Sequence, residues 1–227
     1  MLIADRILDD TVSTSVHILE QIRFLTESTF ILRFNRCDMQ FRAGQRIIVG
    51  LKGDLDQREY SIYSGEKDDY LEILVREVKE GKVSSKLKQC APGQLFQVNG
   101  PFGSFGIETY DRVSGKLVFI ATGTGISPFH SFVRSYPEIN YTLLHGVRIS
   151  KEAYERSEYE DERYILCTSK EITGGRKGRV TSILTKYKVT PDMLFYLCGN
   201  GNMIYEVYHI LRDKGIPDEN IFSEIYF

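Results

Sequence analysis

Residues 116–128 read Lys-Leu-Val-Phe-Ile-Ala-Thr-Gly-Thr-Gly-Ile-Ser-Pro. The apolar run Leu117–Ala121 is strand-length and ends in a glycine turn. Ser127-Pro128 then suits the start of a helix, expected from about Ser127 to Ser135, because proline in the first turn has no N–H to waste. Glycines there let the backbone approach a pyrophosphate, and a helix N-terminus favours anions. Alone, the signature is weak, and an ordinary strand-to-helix turn explains it equally well.

Downstream, strands are expected at 141–146, 164–169 and 194–198, with helices at 181–187 and 203–214. In the last helix Met203, Val207, Ile210 and Leu211 share one face. Strands alternating with helices imply a parallel sheet. Upstream the rhythm changes to short strands broken by turns: 16–25, 30–34, 45–51, 60–63, 70–78 and 94–98. That spacing predicts a small antiparallel barrel. The polar stretch Glu108–Gly115 reads as a looping linker. The expected architecture is thus an all-β barrel (residues 1–110) followed by an α/β domain with a parallel sheet (residues 111–227).

Composition narrows the function. The 227 residues are 42% hydrophobic and 26% charged, enough for a sizeable core. A net charge of −2 gives no global field for nucleic acid. The four cysteines, Cys37, Cys90, Cys167 and Cys198, show no CxxC spacing, so no metal site is expected, and they fit a reducing cytoplasm. Asp5, Arg6, Asp9 and Asp10 leave no room for a signal-peptide core, and no apolar run is long enough to span a membrane.

Several segments carry chemistry. NAD folds place a carboxylate about 20 residues after the glycine turn. Here the strand 141–146 runs into Val147-Arg148 instead, and Lys170, Arg176, Lys177 and Arg179 follow later. Cations at strand ends suit a 2′-phosphate, hence NADP over NAD, although such runs are commonly solvated loops. Arg58-Glu-Tyr-Ser61 offers a phosphate fork, a flat ring and a hydroxyl. Gly81-Lys-Val-Ser-Ser85 is a second anion-site candidate, equally readable as a capped surface helix. Cys198-Gly-Asn-Gly-Asn-Met203 ends a strand at the edge where α/β ligands bind. The chain closes on Ser223-Glu-Ile-Tyr-Phe227, which reads as a docked strand or lid.

These five segments, in this order, resemble the ferredoxin–NADP reductase superfamily, and within it the bacterial ferredoxin/flavodoxin–NADP reductases. The resemblance spans roughly Val16 to Phe227. It implies an FAD-binding barrel and an NADP(H)-binding α/β domain. FAD would be held by Arg58, Tyr60, Ser61, Gly81, Lys82, Val83, Ser84, Tyr226 and Phe227, with Tyr60 and Tyr226 stacking on opposite faces of the flavin. NADP(H) would be held by Gly123, Thr124, Gly125, Arg148, Ser169, Lys170, Arg179, Cys198 and Gly199. Ser61, Cys198 and Glu224 would surround the hydride-transfer atoms together with Tyr60 and Tyr226. The family carries arginine where this chain has Lys170, which implies a smaller NADPH preference.

The resemblance further implies a monomer exchanging electrons with ferredoxin or flavodoxin. Lys82, Lys86, Lys88, Arg134 and the loop at 176–179 are candidates for a basic docking face. Two other readings share these motifs: an NAD(P)H:flavin reductase, and a reductase component serving an oxygenase. The second commonly carries a fused iron–sulfur domain, for which no cysteine pattern is present here.

Overall fold

The computed structural model describes residues 13–171 and 176–226. Six strands form the first sheet: β1 (Ser13–Phe24), β2 (Thr29–Asn35), β3 (Arg46–Leu51), β4 (Arg58–Ser61), β5 (Tyr70–Arg76) and β6 (Leu95–Phe102). Their order is β4-β3-β6-β1-β2-β5, with all paired neighbours antiparallel. A bulge between Leu19 and Gln21 bends β1, so its first half pairs with β6 and its second with β2. The bridge Ile62–Ile73 then brings the β4 end onto β5 and closes the barrel. Leu19, Phe30, Leu32, Phe34, Ile47, Val49, Ile73 and Phe96 fill its interior. The short helix α1 (Lys82–Lys88) buries Val83 and Leu87 in this core.

The segment expected to loop carries helix α2 (Thr109–Ser114). Its Arg112 stacks over the Tyr136 ring at 3.8 Å and donates to the Ile107 carbonyl, contacts that sequence periodicity does not reveal.

The second sheet is parallel. It contains β7 (Lys116–Thr122), β8 (Tyr141–Val147), β9 (Tyr164–Thr168), β10 (Arg176–Lys177), β11 (Met193–Asn200) and β12 (Ile221–Tyr226), ordered β10-β9-β8-β7-β11-β12. The helices are α3 (Ser127–Ser135), α4 (Val180–Lys186) and α5 (Gly201–Asp213). Strand β7 shows why the sheet has two buried faces. Val118 and Ile120 pack with α4 and α5, while Leu117, Phe119 and Ala121 pack with α3 and with Ile31, Tyr63 and Leu74 of the barrel. One apolar cluster therefore runs through both halves. The strand order reverses around β7, so the crevice lies beyond the carboxyl ends of β7 and β11.

Candidate active site between the barrel and the parallel sheet

A cleft of about 630 Å³ opens where the barrel meets the C-terminal strand. That size suits a large small-molecule ligand. Residues Arg58, Tyr60 and Ser61 form one wall, Gly81–Ser84 another, and Thr124, Glu224, Ile225 and Tyr226 the third.

At its centre a hydrogen-bond chain joins the two halves. The Tyr226 hydroxyl donates to Ser61 Oγ at 2.6 Å, and Ser61 Oγ donates to Glu224 Oε2 at 3.2 Å. Glu224 and Tyr226 sit two residues apart on β12, so they share a face. In the β11–β12 register Cys198 lies opposite Glu224. The Cys198 thiol also meets the Tyr226 hydroxyl. Burial pushes the Cys198 thiol and the Tyr226 phenol well above their ordinary values. Both keep their protons at neutral pH and act as weak acids and donors. Burial also raises Glu224, opposed by the Ser61 hydrogen bond and the Arg46 charge. Tyr60 is half-buried against the barrel core, and burial pushes its phenol up to about 12.

The expected phosphate ligands divide. Arg58 is exposed on the cleft wall, with Nη1 donating to the Gln57 carbonyl. The Ser84 hydroxyl accepts from the Val78 amide at 3.0 Å, fixing the turn that enters α1 while its own proton remains available to donate. The Val83 side chain belongs to the barrel core, so only its backbone can serve a ligand. Lys82 is exposed at the rim. A cation, a flat ring beside a hydroxyl and a glycine–serine turn on one cleft form a donor set suited to a phosphate-bearing aromatic cofactor such as FAD.

Beyond β7 the chain turns at Gly123–Ile126 before entering α3. A Cβ on Gly125 would lie 2.4 Å from the Cys198 carbonyl oxygen, and one on Gly199 would lie 2.4 Å from Thr122 Oγ1. These glycines exist because the ends of β7 and β11 nearly touch. His145 braces the turn from beneath: Nε2 donates to the Gly123 carbonyl at 2.9 Å, while Nδ1 accepts from the Tyr164 hydroxyl at 2.6 Å. Burial lowers this imidazole to about 4, so it stays neutral.

Arg148, Ser169, Lys170 and Arg179 are all exposed around the ends of β8 and β9 and the start of α4. The Lys170 amide donates to the Arg148 carbonyl at 2.9 Å, which ties the two strand ends together. Two carboxylates share this edge: Glu152 accepts from the Arg148 amide and Glu171 from the Ser150 amide. Carboxylates offset the positive charge of three of the docking-face residues. Lys86 pairs with Asp54 and Asp56, Lys88 with Glu77, and Arg134 with Asp68 and Glu158. Phe227 lies outside the described residues, as do residues 172–175.

Sequence reading missed Arg46, Arg76, His145 and Ile225. The first two and Ile225 line the cleft. Each stands in an ordinary strand pattern, so only pairing register could have exposed them.

Comparison with known proteins agrees with this geometry. Residues 16–107 match the oxidoreductase FAD-binding domain family and residues 119–209 the oxidoreductase NAD-binding domain family. The toluate 1,2-dioxygenase electron transfer component of Pseudomonas putida is 27% identical over 91% of this chain and 66% of its own length. The ferredoxin–NADP reductase of Azotobacter vinelandii is 28% identical over 78% of this chain and 81% of its own length. A ferredoxin NADP+ reductase from Neisseria gonorrhoeae, solved with FAD and NADP, superimposes with a TM-score of 0.84 at 21% identity, covering 94% of this chain and 99% of that one. This chain spans 66%, 64% and 60% of the length of three such dioxygenase reductases, from toluate, anthranilate and terephthalate systems. Two cofactor domains in this order, on this fold, place the chain in the ferredoxin–NADP reductase superfamily, as an FAD-binding barrel joined to a nicotinamide-dinucleotide-binding domain.

Proposed function

We propose that this chain is a reductase module that passes electrons from NADPH through FAD to a one-electron protein carrier, and that it serves an oxygenase-type system. The observation that carries the reading is the Tyr226–Ser61–Glu224 chain, which joins the two halves inside the cleft. The relatives named as dioxygenase electron transfer components favour an oxygenase partner over a free-standing ferredoxin or flavodoxin reductase. A cytoplasmic setting fits the four free cysteines. Among the described residues no helix is long and apolar enough to cross a membrane.

The flavin, when bound, supplies the two-electron to one-electron conversion. The protein supplies placement. Arg58 and the Gly81–Ser84 turn anchor the phosphates, and Tyr60 provides the ring face. Ser61 presents its hydroxyl at the reacting edge. That hydroxyl accepts from Tyr226 and donates its own proton to Glu224, so it relays between the two. Gly123, Thr124, Gly125 and Gly199 would let the dinucleotide approach the backbone, and Cys198, buried next to Tyr226 and Glu224, would back the nicotinamide side of the site. Tyr226 occupies the space over Ser61 and moves aside when the nicotinamide enters. Arg148, Ser169, Lys170 and Arg179 select the 2′-phosphate, and Glu152 limits that selection.

The test is an anaerobic NADPH titration of the gel-filtered protein, followed in the flavin absorption bands. A yellow protein that bleaches with a single equivalent supports the reading. A colourless protein that reduces only added flavin would replace it with the flavin-reductase alternative.

A further inference from the structure

Arg46 stands at the head of β3, and its partner across the β3–β4 ladder is Ser61. Paired residues put their side chains on one face, as do residues two apart on a strand. The register therefore gathers Arg46, Ser61 and Glu59 on the face that β12 covers with Glu224. The guanidinium lies between two carboxylates: Nε is 3.0 Å from Glu59 Oε2, and Nη1 is 3.9 Å from Glu224 Oε1. Their exposures differ. The Glu59 side chain is 59% exposed and that of Glu224 12%. Solvent screens the first pair, whereas the second carries the cost of a buried charge.

The Arg46 guanidinium also passes close to Gly103, whose left-handed backbone (φ +94°) favours glycine in its own right. The groups facing Glu224 are Arg46 from β3, Glu59 and Ser61 from β4, Cys198 from β11 and Tyr226 from its own strand. Cys198 and Tyr226 are uncharged at neutral pH, so among the described residues Arg46 is the cation that acts on this carboxylate.

We propose that Arg46 is a positioning residue of the active site: its guanidinium draws one oxygen of the Glu224 carboxylate and leaves the other turned toward Ser61, and Glu59 tempers that hold by competing for the same guanidinium. Its consequence for hydride transfer rests on the function proposed above, but the contact itself does not. Arg46 touches no reacting atom in this role and acts through Glu224.

The experiment is a carboxyl carbon-13 NMR titration of the purified full chain labelled at glutamate, with the Glu224 resonance identified by its loss in Glu224→Gln. In Arg46→Gln the Glu224 midpoint should rise, with proton affinity increasing about tenfold or more for loss of an adjacent cation. Arg46→Lys should restore most of the wild-type midpoint. Glu59→Gln, on the exposed side, should shift it the opposite way. A Glu224 midpoint that stays put in Arg46→Gln, or that moves equally in Arg46→Lys, would overturn the proposal. If Arg46→Gln does not fold, Arg46→Met takes its place, with the same rise expected and an unmoved Glu224 midpoint overturning the proposal. None of these readings depends on flavin or turnover, so a failure of the reductase reading would leave them interpretable.

Discussion

Two of the places where the halves of the molecule meet differ in kind. One is the cleft, where a single hydroxyl links β4 to β12 across open volume. The other is the seat of α3 on the barrel, which is closed. There the Tyr63 and His130 rings stack at 3.7 Å, His130 Nδ1 donates to the Tyr63 carbonyl, and Ser131 donates to the Ser64 carbonyl. Arg134 grips Asp68 with two nitrogens, and Arg23 of β1 binds Glu155 beside His130. The same short segment serves both places: 58–61 faces the cleft and 63–68 holds α3. A tightly packed seat fixes the glycine turn at the head of α3 relative to Ser61, which lets the reactive meeting stay thin and open.

Gly125→Ala should show the largest effect. The added Cβ meets backbone atoms of Cys198 that cannot step aside. We expect kcat/KM for NADPH to fall about a hundredfold or more while FAD stays bound, since misplacement of about 1 Å costs that much. Steady-state kinetics beside the flavin spectrum would show it, and an unaffected kcat/KM would mean that the turn does not hold the dinucleotide.

Glu155→Ala breaks the seat instead. Removing one partner of a buried pair costs about 3–5 kcal/mol, reduced here because Arg23 is partly exposed. A loss of about 2 kcal/mol in urea unfolding, with the flavin spectrum of the folded protein unchanged, would separate the seat from the cleft.

Acid should loosen the seat and the glycine turn together. His130 and His145 are buried and lowered from 6.5 to about 4. The unfolded chain takes up these protons below 6.5 and the folded chain does not until about 4. Stability is therefore full above pH 6.5 and declines as pH falls toward 4, by up to about 3 kcal/mol per histidine. His145→Gln should flatten the fall in urea midpoint between pH 7 and pH 5, and an unchanged slope would contradict the buried neutral state.

Lys170→Arg should have the smallest effect, lying far from both meetings. A planar fork in place of a point charge should raise the NADPH-over-NADH preference severalfold. A preference that does not move would take Lys170 out of the 2′-phosphate site.

These contrasts also explain what the sequence made legible. The strand–glycine–helix stretch at 116–135 fixed its own structure, because apolar run, turn and proline agree locally. Helix α3 spans the expected residues. The barrel strands were legible for the same reason. Helix α2 was hidden because it buries no apolar stripe of its own. Arg46 and His145 were hidden because their roles come from register and from a neighbouring turn, neither of which a linear pattern contains. The basic face at Lys86, Lys88 and Arg134 was overread because their acidic partners lie far away in sequence.

The measurement that bears most directly on the account is the anaerobic stopped-flow rate of flavin bleaching by NADPH in Ser61→Ala. If the Tyr226–Ser61–Glu224 chain is the hydride site, the rate should fall about a hundredfold while FAD remains bound, in the range typical for loss of a positioned proton-handling group. A bleaching rate equal to that of the unaltered protein, with FAD retained, would place the chemistry elsewhere in the cleft.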